Sequence, residues 1–172
     1  DHPERWRGYV RRYFDARLNH EVKRVKRYGG ELSLLMMDID HFKKINDEMG
    51  HLVGDYTLRE LALVIKKLVR REDLFARYGG EEFCILLPET NEQQACIWAE
   101  RIRKRIANIQ LPVGDQTLKI TASFGIAQRC DELHVSKELV EFADQALLVA
   151  KRSGRDRVVT YRSIIEAKTT MQ

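Results

Sequence analysis

The sequence LFARYGGEEFCILL, residues 74–87, contains two apolar runs of strand length separated by Gly79 and Gly80. A Gly-Gly pair between two such runs is typical of a β-hairpin, because glycine adopts the backbone angles that a tight turn requires. Two acidic residues, Glu81 and Glu82, open the second run directly after the glycines. The stretch therefore predicts a hairpin that carries a pair of carboxylates next to its turn.

Helical and strand-like segments surround this hairpin on both sides. Apolar residues at helical spacing predict helices over residues 10–27, 41–49, 55–69, 91–110 and 136–152. Apolar and β-branched runs predict strands over residues 33–38, 117–127 and 158–159, and glycines predict a turn over residues 50–54. This order indicates an α/β fold of the α+β type, with a mixed central sheet, flanking helices and a ferredoxin-like arrangement.

The composition is that of an ordinary globular domain, and its small positive net charge slightly favours anionic ligands. The 172 residues include 30 Lys and Arg against 26 Asp and Glu, so the formal net charge is +4. Acids interrupt the bases and no continuous basic stripe forms, so we do not expect a nucleic-acid partner. No apolar run is long enough to span a bilayer.

These features predict a cytoplasmic domain. The sequence begins with Asp1 rather than Met, so we expect it to be a fragment of a longer protein, whose missing N-terminal region could tether it to a membrane. The cysteines, Cys84, Cys96 and Cys130, show no metal-ligand spacing, and we expect all three to be reduced and buried.

A second acidic cluster, Asp38-Ile39-Asp40, ends the strand predicted over residues 33–38. If this strand neighbours the hairpin, carboxylates from both clusters meet at one edge of the sheet. Mg²⁺ takes oxygen ligands, commonly one or two carboxylates plus substrate phosphates, and two such ions can hold a triphosphate for in-line attack. Any one of these acids is most simply a solvated surface residue. The bare backbone of Gly79-Gly80, however, lets a bulky ligand approach closely.

Three motifs resemble those of the GGDEF-domain diguanylate cyclases, in the same order and at the same spacing. RYGGEEF, residues 77–83, is similar to the family signature in its Gly-Gly-Glu-Glu-Phe form. The other similar stretches are DIDHFKKIND at 38–47 with GH at 50–51 and GD at 54–55, and ADQAL at 143–147 with AK at 150–151 and GR at 154–155. The likeness covers roughly residues 11–160.

The resemblance implies a nucleotidyl-cyclase-like catalytic domain over residues 11–162, with an atypical lead-in over 1–10 and a tail over 163–172. Its activity would be the condensation of two GTP molecules into cyclic di-GMP and two pyrophosphates, with inhibition by the product. Each 3′-hydroxyl must attack the α-phosphate of the other GTP, so we expect a homodimer that brings two half-sites together. The stretch PERWRGYVR, residues 3–11, departs from the Asp-x-Leu-Thr segment with which the family usually opens. The resemblance also implies a sensory domain upstream of this sequence.

The resemblance also implies a metal site and a base. Two Mg²⁺ ions per active site, with Mn²⁺ as the alternative metal, would be bound by the Asp38 and Glu81 carboxylates and by the Ile39 carbonyl. Glu82 would assist at the metals, and Glu81 would also be the general base for the attacking hydroxyl. Lys43 would act in catalysis by offsetting negative charge in the transition state.

Substrate-binding roles are implied in the same way. Phe42 and Lys43 would lie along the phosphates, and Asn46 and Asp55 would bind guanine. The remaining substrate contacts would come from His51, Gly79 and Gly80, and Lys151 and Arg155 would hold the triphosphate. Each residue also has a simpler explanation. Lys151 near a helix C-terminus complements the helix dipole, Asn46 and Asp55 are residue types that cap helices, and His51 between two glycines suits a turn.

A regulatory site is implied just before the hairpin. Arg70 and Asp73 match the family's Arg-x-x-Asp motif, at which the product cyclic di-GMP binds and inhibits, and Arg101 occupies the place of a further arginine. Guanidinium groups stack on guanine and bind phosphate through two hydrogen bonds. The alternative is an exposed ion pair that contributes little to stability.

Two other functions compete with the cyclase. The chain could be a catalytically weak module that binds GTP or cyclic di-GMP as a signalling receptor, although the intact Gly79–Phe83 signature argues against this. It could also be another nucleotidyl cyclase. Asp55 discriminates here, because a carboxylate accepts hydrogen bonds from the N1–H and the exocyclic amine of guanine, whereas adenine presents the wrong pattern.

Overall fold

The computed structural model describes the backbone of residues 5–130 and 136–171, and the side chains from residue 11 onward within those ranges. In these ranges the helices are α1 (Arg5–Tyr28), α2 (Phe42–Met49), α3 (His51–Leu68), α4 (Glu92–Ala107), α5 (Ser136–Arg152) and α6 (Tyr161–Thr170). The strands are β1 (Leu32–Ile39), β2 (Leu74–Arg77), β3 (Glu82–Pro88), β4 (Leu111–Val113), β5 (Gln116–Leu118), β6 (Ala122–Gln128) and β7 (Val158–Thr160).

Within the described residues, the main sheet has the strand order β2-β3-β1-β6-β7. All of its pairings are antiparallel except that of β6 with β7, which is parallel. The predicted class, a mixed sheet with flanking helices, is therefore confirmed. The predicted hairpin is also present, as β2 and β3 pair on either side of the two glycines.

The central strand β1 is buried along its whole length. Because side chains alternate along a strand, it contributes to two apolar cores, one on each face of the sheet. Leu35, Met37 and Ile39 pack with α2, α3 and α4, whereas Leu34 and Met36 pack with α1 and α5. A strand that is covered by helices on both faces of the sheet needs apolar side chains on both faces. Residues 32–37 accordingly contain a single polar residue, Ser33.

Several boundaries differ from the prediction. The predicted turn over residues 50–54 is wrong, because α3 begins at His51 and includes Gly54. The strand predicted over 117–127 is divided into β5 and β6, and β5 pairs with β4 in a small separate hairpin. The helix predicted over 91–110 ends at Ala107. Helix α6 was not predicted, since its apolar residues are few.

The three cysteines agree only in part with the prediction. Cys84, Cys96 and Cys130 are free thiols, but the prediction that all three are buried is right for Cys84 alone, as Cys96 is half-buried and Cys130 is exposed.

Of the helices in the described parts of the chain, none is both long enough and apolar enough to cross a membrane.

Close packing of α5 onto β6 predicts that Gly125→Ala destabilises the fold. A Cβ at Gly125 would overlap the Leu147 amide nitrogen and the Ala143 carbonyl oxygen, and both are backbone atoms that cannot rotate away. We expect the free energy of unfolding in urea to fall by about 3 kcal/mol. Gly80→Ala is the matched control, because a Cβ there meets nothing within 4 Å. Equal stability of the two variants would contradict this packing.

Candidate active site

A cleft of about 520 Å³ opens at the end of β1, between the β2–β3 turn and the C-terminus of α5. Seven residues predicted from sequence line it: Asp38, Ile39, Phe42, Lys43, Glu81, Lys151 and Arg155. Its other lining residues are Asp40, His41, Lys44, Asp47 and Glu48. Carboxylates and cationic side chains are thus interspersed, which suits a ligand that combines phosphates with a metal cation.

The register of the sheet brings the two acidic clusters together. Asp38 on β1 lies directly opposite Glu82 on β3, so Glu81 stands one residue beyond the last pair, at the edge of the sheet. The convergence expected from the sequence is therefore present. Lys151 reaches the same place from the last turn of α5, on the face of the sheet to which Asp38 points.

Asp38 is a buried carboxylate with one oxygen left without a partner. Its Oδ2 accepts a hydrogen bond from the Lys151 ammonium, whereas its buried Oδ1 has no hydrogen-bond partner among the described residues. Burial raises the pKa of Asp38, and the hydrogen bond from Lys151 opposes this shift. A buried oxygen that accepts nothing is costly, and a bound cation would satisfy it.

The residues around Asp38 fit a magnesium ion. The Asp38 and Glu81 carboxylates and the Ile39 carbonyl are all hard oxygen donors at the cleft. Burial raises the pKa of Glu81, and the nearby negative charge of Asp38 raises it further. The described residues assemble no cluster of three or more His, Cys, Asp or Glu side chains that could hold a metal by themselves. Such a site suits Mg²⁺, which commonly takes its remaining ligands from substrate phosphates and water.

Glu82 is placed differently from Glu81. It does not line the cleft, and its carboxyl group is hydrogen-bonded to that of Asp144 on α5. Burial, with the hydrogen bond and the charge of Asp144 after it, raises the pKa of Glu82 to about 7. Asp144 was not among the predicted site residues, although it lies in the quoted ADQAL stretch. The ADQAL stretch alone does not indicate that the Asp144 side chain lies against Glu82, the second carboxylate of the hairpin.

The predicted guanine-binding residues lie side by side in the α2–α3 pair, beyond the lining of the cleft. Asn46 is inside α2 and Asp55 is inside α3, so neither caps a helix and that alternative explanation is wrong. Gly54 makes their proximity possible, because a Cβ at Gly54 would overlap Asn46 Oδ1. His51 is exposed at the first residue of α3 rather than in a turn.

The two glycines of the hairpin turn are held by Arg77. Its Nε donates to the carbonyl oxygens of Gly79 at 3.1 Å and Gly80 at 3.0 Å. Neither glycine lines the cleft, but Glu81 directly after them does. Arg77 therefore fixes the backbone from which Glu81 projects.

A second cleft, of about 320 Å³, brings together the three residues predicted for regulation, Arg70, Asp73 and Arg101. Arg70 donates to Asp73 Oδ1 at 3.0 Å and to Thr90 Oγ1 at 2.8 Å. The Asp73 side chain is fully buried, so this pair is more than a surface ion pair. Glu81 directly precedes β3, whereas Thr90, which lines the second cleft, lies two residues after its end. The seven residues of β3 span about 20 Å, so the two clefts lie at opposite ends of this strand.

The carboxyl pair predicts a specific pH dependence of stability. The pKa of Glu82 is higher in the folded state than its ordinary value of 4.5, so its stabilising contribution is complete below that value and is lost as the pH rises through about 7. Glu82→Gln keeps a hydrogen-bonding partner for Asp144 but cannot ionise. We expect the wild-type free energy of unfolding to fall between about pH 5 and 8 relative to that of the variant, in urea titrations without divalent ions. Parallel pH profiles would contradict the assignment.

Comparisons with known proteins identify the family of this chain. Residues 9–157 match the family model for the diguanylate cyclase GGDEF domain. The chain is 45% identical over 142 residues to diguanylate cyclase DgcP of Pseudomonas aeruginosa, which covers 83% of this chain but only 21% of that protein's length.

Comparison with solved structures identifies the same family. The GGDEF domain of DgcB from Caulobacter crescentus, in complex with c-di-GMP, superposes with a TM-score of 0.85 at 34% identity, over 88% of this chain and 90% of that one. The active GGEEF domain of a diguanylate cyclase from Vibrio cholerae has a TM-score of 0.83 at 36% identity, over 88% of this chain and 96% of that one. The chain therefore belongs to the GGDEF-domain family of diguanylate cyclases.

Proposed function

We propose that this chain condenses two GTP molecules into cyclic di-GMP and two pyrophosphates. The observation that supports this most directly is the buried Oδ1 of Asp38, which has no hydrogen-bond partner among the described residues and lies in a cleft with Glu81, Lys151 and Arg155. Diguanylate cyclases of this family generally use divalent metals. Two Mg²⁺ ions held by Asp38, Glu81 and the Ile39 carbonyl would supply charge neutralisation and activation of the hydroxyl.

In the proposed reaction, the 3′-hydroxyl oxygen of one GTP bonds to the α-phosphorus of the other, and pyrophosphate leaves. Glu81 accepts the hydroxyl proton, a role that its raised pKa favours. Lys151 and Arg155 bind the triphosphate, and Lys43 offsets the charge that develops on the phosphate oxygens. Asn46 and Asp55 bind the guanine edge through their amide and carboxylate groups.

Product formation requires two copies of the domain. One cleft binds one GTP, and the two phosphodiester bonds of the product are related by symmetry, so two clefts must face each other in a homodimer. The proposed catalytic unit is residues 11–162. The same proposal extends to product inhibition, because the second cleft contains an arginine pair and a tryptophan, Trp98, that suit a guanine nucleotide.

Glu81→Gln tests the proposed base. A neutral amide cannot accept the proton and is a weak metal ligand, so kcat should fall by at least about 100-fold. The assay incubates the protein with Mg²⁺ and either GTP or ATP and identifies the products by mass. Glu31→Gln, an exposed carboxylate outside both clefts, is the control and should retain activity. Normal turnover by a folded Glu81→Gln protein would exclude Glu81 as the base. GTP binding without any product in the wild type would favour the receptor function instead.

Gly54→Ala tests guanine recognition without altering a polar group. The new methyl group would displace the Asn46 amide and approach Phe42 Cζ at 3.2 Å. The loss of this hydrogen-bonding group should raise the KM for GTP about tenfold with a small effect on kcat. Leu63→Ala, at an exposed position of the same helix, is the control for helix integrity. An unchanged KM would show that Asn46 does not contact the base.

Arg70→Ala tests product inhibition. Removal of the guanidinium should abolish most of the affinity for cyclic di-GMP, since both stacking and charge-assisted hydrogen bonds depend on it. Because the two clefts lie at opposite ends of β3, inhibition of the wild type should be noncompetitive with GTP. The measurement is the initial rate against GTP at several product concentrations, with Arg71→Ala as the control for a neighbouring exposed arginine. Competitive inhibition of equal strength in all three proteins would contradict the proposal.

A further inference from the structure

Asp40 is a buried carboxylate that the proposed reaction does not use. It lies two residues after Asp38 and is 6% exposed. Its Oδ1 accepts a hydrogen bond from Ser123 Oγ at 2.6 Å, and its Oδ2 accepts from Thr121 Oγ1 at 2.6 Å and from the Asp156 amide nitrogen at 3.0 Å. Both oxygens therefore have donors already. This distinguishes Asp40 from Asp38, whose Oδ1 has no partner among the described residues.

The segment that Asp40 holds has an unfavourable backbone conformation. Arg155 and Asp156 are consecutive residues other than glycine, and both have positive φ, 64° and 45°. Such conformations are unfavourable for residues other than glycine and persist where surrounding contacts hold them. The Arg155 amide donates to the Ala150 carbonyl at 3.0 Å, and the Asp156 amide donates to Asp40. The Arg157 carbonyl, directly after this turn, accepts from the Phe124 amide of β6 at 2.9 Å, so the bond to Asp40 is a second link between the segment and the sheet, at Asp156 itself.

A second contact, made by helix α4, holds the same turn. Arg103 on α4 donates to Asp156 Oδ1 at 2.9 Å, and Glu100 binds the same guanidinium at 3.0 and 2.9 Å. Asp156 is thus held through its amide by Asp40 and through its carboxylate by Arg103. Arg155, immediately before it, lines the cleft.

We propose that Asp40 is a positioning residue that, assisted by Arg103, holds the 155–156 turn so that Arg155 faces the triphosphate site. The inference rests on the proposed function, in which Arg155 binds the triphosphate. Asp40 then acts through Arg155 and does not contact the substrate or a metal ion. Loss of the contact should weaken GTP binding more than it slows the chemical step.

The key comparison is Asp40→Ala with Asp40→Asn. Alanine removes all three hydrogen bonds, so the KM for GTP should rise about tenfold with kcat within about threefold of the wild type. Asparagine should restore most of the affinity, because its amide oxygen can accept from Thr121 and Asp156 while its NH₂ group donates to Ser123 Oγ. If Asp40 binds a metal instead, asparagine will be as harmful as alanine and will raise the Mg²⁺ requirement, which would overturn the proposal.

A double-mutant cycle tests whether Asp40 acts through Arg155. In an Arg155→Ala background, Asp40→Ala should raise KM no further, whereas additive effects would overturn the proposal. If Asp40→Ala does not fold, Arg103→Ala replaces it in the cycle, with an expected rise of about threefold that Arg155→Ala also abolishes. Arg105→Ala, an exposed arginine on the same helix, is the matched control and should leave KM unchanged.

Hydrogen exchange separates this proposal from the proposed function. The Asp156 amide should exchange slowly in the wild type and in Asp40→Asn, and faster in Asp40→Ala, whether or not the protein makes cyclic di-GMP. A wild type that forms no product would refute the proposed reaction alone. Unchanged exchange of the Asp156 amide in Asp40→Ala would refute the positioning role alone.

Discussion

The pairing of β1 with β3 on one side and β6 on the other is the constraint on which the rest of the structure depends. It sets Asp38 opposite both Glu82 and Ser123. A shift of one residue would exchange the two faces of β1, and the apolar side chains that now fill the two cores would meet the wrong helices. The apolar run therefore fixes the register, and the register in turn positions the acidic residues at the edge of the sheet.

Burial is what makes the acidic edge chemically useful. An exposed carboxylate at a strand end is satisfied by water, but Asp38 is buried beside the last turn of α5. There it has Lys151 as its one partner among the described side chains, and one oxygen is left over. Asp40, two residues further along the same backbone, is fully hydrogen-bonded. The two acids therefore differ in their surroundings: Asp38 keeps one oxygen without a partner among the described residues, whereas both oxygens of Asp40 accept hydrogen bonds.

The two clefts share structural elements although they lie at opposite ends of the sheet. Strand β3 begins beside Glu81 and ends near Thr90, which binds Arg70. Helix α4 contributes Arg101 to the second cleft and, two residues later, Arg103 to the turn that carries Arg155. Helix α4 therefore contacts the turn that carries Arg155 and also borders the proposed regulatory cleft.

Local sequence patterns determined the hairpin, most of the helices, the central strand and seven of the residues that line the cleft at the end of β1. Each of these depends on residues close together in the chain: a glycine pair between apolar runs, a helical repeat, or a short motif. Predictions were wrong where a local signal conflicted with packing. The glycines at 50 and 54 suggested a turn, but Gly54 lies inside α3 because α2 packs closely there and Asn46 occupies the space of a side chain.

Only the tertiary structure decided which distant groups meet. The bonds of Asp38 to Lys151, Glu82 to Asp144 and Asp40 to Asp156 each join residues more than 60 positions apart in the chain. No sequence period reports such contacts, because they follow from the strand order β3-β1-β6-β7 and from the packing of α5 across it. The sequence by itself thus determined which chemical groups the site contains. The three-dimensional arrangement decided which carboxylate keeps an oxygen without a partner among the described residues, which lies against another carboxyl group and which accepts hydrogen bonds at both oxygens.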